Sequence, residues 1–168
     1  TEIIAKGIIP AGMEIMDKAL TKATNDFSKA GYPVDAEAMM IVELDGTDSE
    51  VSELIKKIEE IAKKNKCSSI KRSKSDEERL KFWTGRKAAF PACAELAPDY
   101  MCMDGSIPRG KLAEVLKEIQ KLSVKYDLPV ANAFHAGDGN LHPLIMFNAN
   151  DPEQLRKTEE FGAEILKY

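Results

Sequence analysis

The side chains best suited to chemistry in this sequence are its two histidines, His135 and His142. They lie near the ends of one short segment, Phe134-His135-Ala136-Gly137-Asp138-Gly139-Asn140-Leu141-His142-Pro143. Histidine is the commonest metal ligand among the side chains. The apolar-rich runs on either side, 130–134 and 141–147, have strand length and are bounded by turn residues. Between them Gly137-Asp138-Gly139-Asn140 supplies two residues that accept positive φ and two whose short side chains hydrogen-bond loop backbone. The spacing predicts a β-hairpin, with His135 and His142 across from each other and pointing the same way, as two imidazoles sharing a cation must. From the residues alone, binding a metal and hydrogen-bonding the loop are equally good readings.

Arg86 is the next residue to single out. On a helix, Trp83, Arg86 and Phe90 share one face, so a guanidinium there would be held among aromatic rings. Taken alone, a helical arginine is ordinarily a solvated surface charge. Cys67, Cys93 and Cys102 are odd in number and widely spaced, with no Cys-x-x-Cys pair. That suggests neither a disulfide framework nor a thiolate zinc site, and a reducing cytoplasm fits best. Nothing in the sequence provides Cys102 with a neighbouring base, so it reads as pocket wall or core. Neither a Gly-x-Gly-x-x-Gly nor a Walker loop occurs, so the chain shows no nucleotide-binding segment of its own.

These residues need elements to hold them. With 168 residues, 43% hydrophobic and 31% charged, the composition is that of an ordinary soluble globular protein of one domain or two small subdomains. The apolar runs are too short to span a bilayer, and neither a membrane segment nor a signal peptide is expected. A formal charge of -4, with lysines interspersed among acids, leaves no basic stripe for a phosphate backbone, so nucleic acid is not an expected partner. Thr1 to Gly7 reads as the tail of a helix stopped by Gly7, and Ile8 to Met16 as a strand broken by Pro10-Ala11-Gly12. Asp17 is a helix N-cap, followed by Ala19, Leu20, Ala23 and Phe27 at helical spacing up to Gly31. Ala36 to Leu44 reads as a buried strand, and Val51, Leu54, Ile55, Ile58, Ile61 and Ala62 stripe a helix that packs on the core.

Ser68 to Arg72 is a short strand, Ser75-Asp76-Glu77-Glu78 caps a helix running to about Phe90, and Pro91 to Pro98 loops across. Tyr100 to Met103 is a strand, and Ser106-Ile107-Pro108 starts a helix striped by Leu112, Val115, Leu116, Ile119 and Leu122. Pro129 precedes the hairpin, and a last amphipathic pattern containing Leu155, Phe161 and Ile165 reaches Tyr168 without a C-cap. With no initiator methionine either, an excised piece of a longer protein is expected. The order of elements predicts an α+β architecture of duplicated ferredoxin-like subdomains, antiparallel sheets with helices packed on one face.

The string His135-Ala136-Gly137-Asp138-Gly139-Asn140-Leu141-His142-Pro143 resembles the histidine motif of FAD-linked 2-hydroxyacid oxidases and dehydrogenases, the glycolate oxidase and D-lactate dehydrogenase family. The resemblance extends to Ala30-Gly31-Tyr32-Pro33-Val34-Asp35-Ala36-Glu37, to Phe82-Trp83-Thr84-Gly85-Arg86-Lys87, and to the segment from Pro98 to Arg109, so it covers essentially the whole chain. It implies the duplicated ferredoxin-like fold, with residues 1–168 a fragment of the C-terminal substrate and cap domain and an FAD-binding domain upstream. It implies oxidation of a 2-hydroxy acid to a 2-oxo acid on FAD held mainly by that other domain. The fragment alone is then expected to be inactive and to hold no catalytic residue of its own.

The site residues implied by the resemblance are Arg86 for the substrate's C1 carboxylate, a role suited to a planar bidentate donor, and His135 with His142 for a divalent metal such as zinc. Asn140 is the candidate for a cofactor contact. In the family the third metal ligand is a glutamate in a Gly-Glu-His-Gly motif whose adjacent histidine is the base, and neither occurs before Tyr168. Relatives acting on 2-hydroxyglutarate carry a lysine in the segment matching Tyr100 to Asp104 and an asparagine two residues past the second histidine; Cys102 and Leu144 stand there in this chain. A smaller, more apolar pocket is expected, favouring glycolate or D-lactate. Family members of the glycolate oxidase type work with further flavin and iron-sulfur subunits, which are expected as partners by resemblance, in the cytoplasm. Two other classes stay open. A stand-alone metal-binding hydrolase should contain a third ligand and a base nearby, and a ferredoxin-like interaction module would leave His135, His142 and Arg86 idle.

Overall fold

Three apolar strands form the centre of the molecule. They are β1 (Gly12–Asp17), β5 (Val130–His135) and β6 (Asn140–Phe147), flanked by β2 (Ala38–Glu43), β3 (Asp99–Cys102) and the two-residue β4 (Gly105–Ser106). All pair antiparallel in one six-stranded sheet of order β2-β1-β5-β6-β3, with β4 also on β6. The helices are α1 (Glu2–Ala5), α2 (Lys18–Ser28), α3 (Asp48–Lys64), α4 (Asp76–Lys87), α5 (Ala89–Ala92), α6 (Leu112–Tyr126) and α7 (Pro152–Ile165). This computed structural model describes residues 2–167, so the helical readings at Thr1 and Tyr168 lie outside the described residues.

The α+β class and antiparallel pairing match the expectation. The packing differs from it in one respect, because the helices cover both faces of a single sheet. Met16, Ala133, Leu144 and Met146 point to the side closed by Leu20 of α2 and Ala89 of α5. Phe134, Leu141, Ile145 and Phe147 point to the side closed by Val115, Ile119 and Leu122 of α6 and by Phe161 of α7. Strands whose successive residues are all apolar need cover on both faces. The two halves meet where β1 pairs with β5, through Glu14↔His135, Ile15↔Phe134 and Met16↔Ala133.

Local chemistry sets the helix ends. The Asp17 carboxylate accepts from the Leu20 amide at 2.9 Å and starts α2. Thr47 and Glu50 form a capping box for α3, Ser75 caps α4, and Asp151 caps α7 with Pro152 in the first turn. α2 stops at Ser28, before Gly31, because Lys29 turns left-handed at φ 54. Several other readings are corrected. β1 begins only at Gly12, and β2 is a half-exposed edge strand with neighbours on one side alone, not a buried one. No strand forms at 68–72. The helix expected to reach Phe90 breaks at Ala88 into α4 and α5, and α6 starts only at Leu112, after an extended Pro108 at ψ 127 and a single 3-10 turn at Arg109–Lys111.

Candidate functional site

The face of the sheet covered by α2 and α5 carries four polar residues close together. Glu14 is opposite His135, Asn140 is opposite His135 on its other side, and His142 is opposite Ala133. The two histidines thus share a face as expected, but they are diagonal neighbours rather than directly opposite. Their rings stand 5.1 Å apart between centroids and nearly perpendicular at 88°. The four-residue turn sets this register: Asp138 and Gly139 amides both donate to the His135 carbonyl, and Gly139 takes φ 76.

Glu14 is the residue that links the site together. It sits in an apolar strand and is 9% exposed, yet its carboxyl group is doubly engaged. Its Oε2 accepts from Arg86 Nε at 3.1 Å and lies 2.9 Å from Nη2, while its Oε1 lies 2.8 Å from His135 Nδ1. Arg86 reaches it from α4 and is 7% exposed, which rules out the solvated surface charge. Nor is the guanidinium sandwiched between rings. Trp83 packs instead on Gly12, where an added Cβ would meet its Cη2 at 3.2 Å, and Phe90 turns its ring toward His142, 6.2 Å away. The break at Ala88 takes Phe90 out of helical register with Arg86. Arg86 Nη2 is buried and makes no hydrogen bond, so the Glu14 approach leaves N–H capacity at the end of the fork uncommitted.

The segment bearing Arg86 is held by Tyr32, whose hydroxyl donates to the Phe82 carbonyl. The ring lies so close to Gly85 that a side chain there would strike it and the Ala30 methyl, the latter at 2.7 Å. Burial pushes the Tyr32 phenol up to about 12, against the opposing pull of Arg86. Burial also lowers the pKa of the His142 imidazole, with exposed Asp104 opposing from 3.7 Å between Oδ1 and Nδ1. The Asn140 side-chain oxygen, Oδ1, is buried without a hydrogen-bond partner. Cys102 is exposed, its thiol held protonated by a pKa raised through burial, and Leu144 is sealed in the core. Leu144 is therefore core and not a pocket wall. An open apolar groove lined by Phe90, Pro91, Ala94, Ala97, Pro98 and Tyr100 lies alongside. Among the described residues no group of three or more His, Cys, Asp or Glu side chains is placed to hold a metal ion.

A sequence model of the family "FAD linked oxidases, C-terminal domain" matches residues 1–168. The chain belongs to that family. It is 51% identical over 166 residues to the glycolate oxidase subunit GlcD of Escherichia coli K12, covering 99% of this chain and 33% of that protein. Against the Bacillus subtilis subunit of the same name it is 34% identical over 167 residues, covering 99% and 36%. A probable mitochondrial D-lactate dehydrogenase of Danio rerio is 26% identical over 168 residues, covering 99% and 33%. The chain spans about a third of the length of these relatives. Among solved structures, 4-ethylphenol oxidase from Gulosibacter chungangensis in its isoeugenol complex shares the fold, with a TM-score of 0.59 at 10% identity over 93% of this chain and 37% of that one.

Within this FAD-linked oxidase domain, Arg86, His135, His142 and Asn140 fall together on one sheet face. Reasoning from sequence missed Glu14, Asp104 and Tyr32. Glu14 did leave a signal, a lone acid inside Gly12-Met13-Glu14-Ile15-Met16. Among the described residues no helix is long and apolar enough to cross a membrane.

Proposed function

We propose that this chain is the substrate-binding cap of a flavin-dependent oxidoreductase that converts a small 2-hydroxy acid, glycolate or D-lactate, into the 2-oxo acid. One observation carries the reading: a buried guanidinium with uncommitted N–H groups stands on the same face as two imidazoles. A 2-hydroxy acid offers a carboxylate next to a hydroxyl. Arg86 takes the C1 carboxylate on the free end of its fork, and His135 and His142 lie toward the hydroxyl. The Phe90 ring stands against both His142 and Tyr100 and gives the space beside His142 an apolar wall. The exposed Cys102 and the core position of Leu144 provide no charge for a second carboxylate, in keeping with a monocarboxylic substrate.

When bound, FAD supplies the hydride acceptor for the α-carbon, with a flavin domain outside this chain holding it and Asn140 contributing a contact. The donor set also fits a divalent cation such as zinc at His135 and His142, since a carboxylate behind Nδ1 is the partner that metal-binding imidazoles ordinarily have. When bound, that cation supplies a Lewis acid for the hydroxyl, and its third ligand comes from outside these residues. Further flavin and iron-sulfur subunits and a cytoplasmic location complete the proposal, and the chain by itself is inactive. The test is Arg86→Lys in the flavin-containing protein, which keeps the charge and loses the fork. The expected result is a raised KM and a loss of about 1 to 3 kcal/mol in kcat/KM for the hydroxy acid. An unchanged kcat/KM overturns the reading.

A further inference from the structure

Glu14 stands between the two groups to which the proposed reaction assigns work, and its two oxygens are divided between them. Oε2 accepts from Arg86 Nε at 3.1 Å and lies 2.9 Å from Nη2 without a hydrogen bond to it, and Oε1 lies 2.8 Å from His135 Nδ1. The carboxylate has little freedom to choose otherwise. Its strand is paired on both sides, to Ile41 and to His135, and its side chain is 11% exposed. We propose that Glu14 is a positioning residue that orients the carboxylate-binding arginine and the hydroxyl-facing imidazole together from one carboxylate. This rests on the roles given above to Arg86 and His135.

The physical consequences follow from which edges Glu14 occupies. A carboxylate oxygen 2.8 Å from Nδ1 accepts a hydrogen bond from Nδ1–H, the tautomer that leaves the ring lone pair on Nε2. Without that acceptor the ring is free to exchange tautomers and present an N–H where a lone pair is needed. On the arginine, Glu14 blocks the Nε edge with a like charge, so an incoming carboxylate is confined to the end of the fork. One rotation of the Glu14 side chain would disturb both arrangements at once. A purely structural ion pair predicts no such joint effect.

The experiment is a set of Glu14→Gln, Arg86→Lys and the double variant in the flavin-containing protein. It is read as KM and kcat, with melting temperature and flavin absorbance recorded on the same samples. Imidazole two-bond 1H–15N correlations are recorded on this chain. Glu14→Gln is expected to raise KM about tenfold and lower kcat about tenfold, with the KM effect largely absent in the Arg86→Lys background. His135, and not His142, is expected to lose its Nδ1–H signature. A lower melting temperature with wild-type kinetic constants and an unchanged His135 tautomer overturns the proposal. If Glu14→Gln does not accumulate, Glu14→Asp replaces it. Shortened by one methylene, aspartate keeps the charge but cannot reach both partners, so kcat or KM must still move; wild-type values overturn the proposal. Should the parent protein oxidise no 2-hydroxy acid, the functional reading fails, while the His135 tautomer still decides whether Glu14 sets it.

Discussion

Replacing Arg86 by methionine isolates the energetics of the buried pair from any assay of function. Methionine retains most of the aliphatic volume, so the cavity contribution is small. What remains is Glu14, a carboxylate whose side chain is 11% exposed, left with His135 as its polar partner. Breaking a buried pair on one side costs about 3 to 5 kcal/mol because the surviving charge is uncompensated. The contact with the His135 ring at 2.8 Å remains and compensates part of the lost pairing, so the expected loss is about 2 to 4 kcal/mol. For a chain of this length that corresponds to a fall in Tm of roughly 5 to 15 °C. Urea unfolding followed by circular dichroism measures it, with the slope unchanged and the midpoint lowered. Adding Glu14→Gln to Arg86→Met removes the orphaned charge and is expected to recover most of the loss. A single-variant cost below about 1 kcal/mol, or a double variant worse than the single, would refute the reasoning that the pair is desolvated.

Two further outcomes test the frame around the site. Gly139→Ala places a Cβ against the Ile107 carbonyl oxygen at a φ of 76, and is expected to cost about 2 to 4 kcal/mol in chemical denaturation. Gly137→Ala, whose Cβ would meet Met13 at an ordinary 3.7 Å, is expected to cost under about 1 kcal/mol, and equal costs would refute the assignment of the turn. For Tyr32, the folded pKa of about 12 lies above the unfolded value near 10, so the unfolded state gives up its proton first. Its contribution is intact below about pH 10 and lost as pH rises toward 12. Denaturation across that range is expected to show a steeper alkaline decline for the wild type than for Tyr32→Phe; parallel curves count against burial of the phenol.

Much of the fold was legible in the sequence where the signal was local. The hairpin, the Asp17 cap and the α6 stripe depend on residues within one or two turns of each other, and all three formed. What failed was information about partners distant in sequence. Arg86 was assigned its helical neighbours Trp83 and Phe90, but its partner Glu14 is 72 residues away, and a break at Ala88 redirected Phe90. The histidines' shared face followed from the period of the strands, whereas their diagonal placement depended on the pairing Ala133↔His142, which only the completed turn determines. The cover on both faces of the sheet was missed for a related reason. A continuous apolar run such as Leu144 to Phe147 marks a strand of the hairpin, but which elements bury it on each side depends on α2, α5, α6 and α7, distant in sequence.

The position of Glu14 gives the charged cluster its meaning. An apolar pair of similar volume between β1 and α4 would satisfy the sheet without desolvating two ions, and such replacements are often neutral or stabilising. The fold therefore gains nothing that requires a carboxylate in the middle of β1. The carboxylate instead stands where the first half of the sheet meets the second, with Arg86 on one oxygen and His135 on the other. Geometry at that junction is shared by three separate segments, so a shift in any one of them moves the guanidinium relative to the imidazoles. A cluster that costs local stability and is sensitive to the relative placement of both halves is where sequence and fold disagree, and such disagreements concentrate at functional sites.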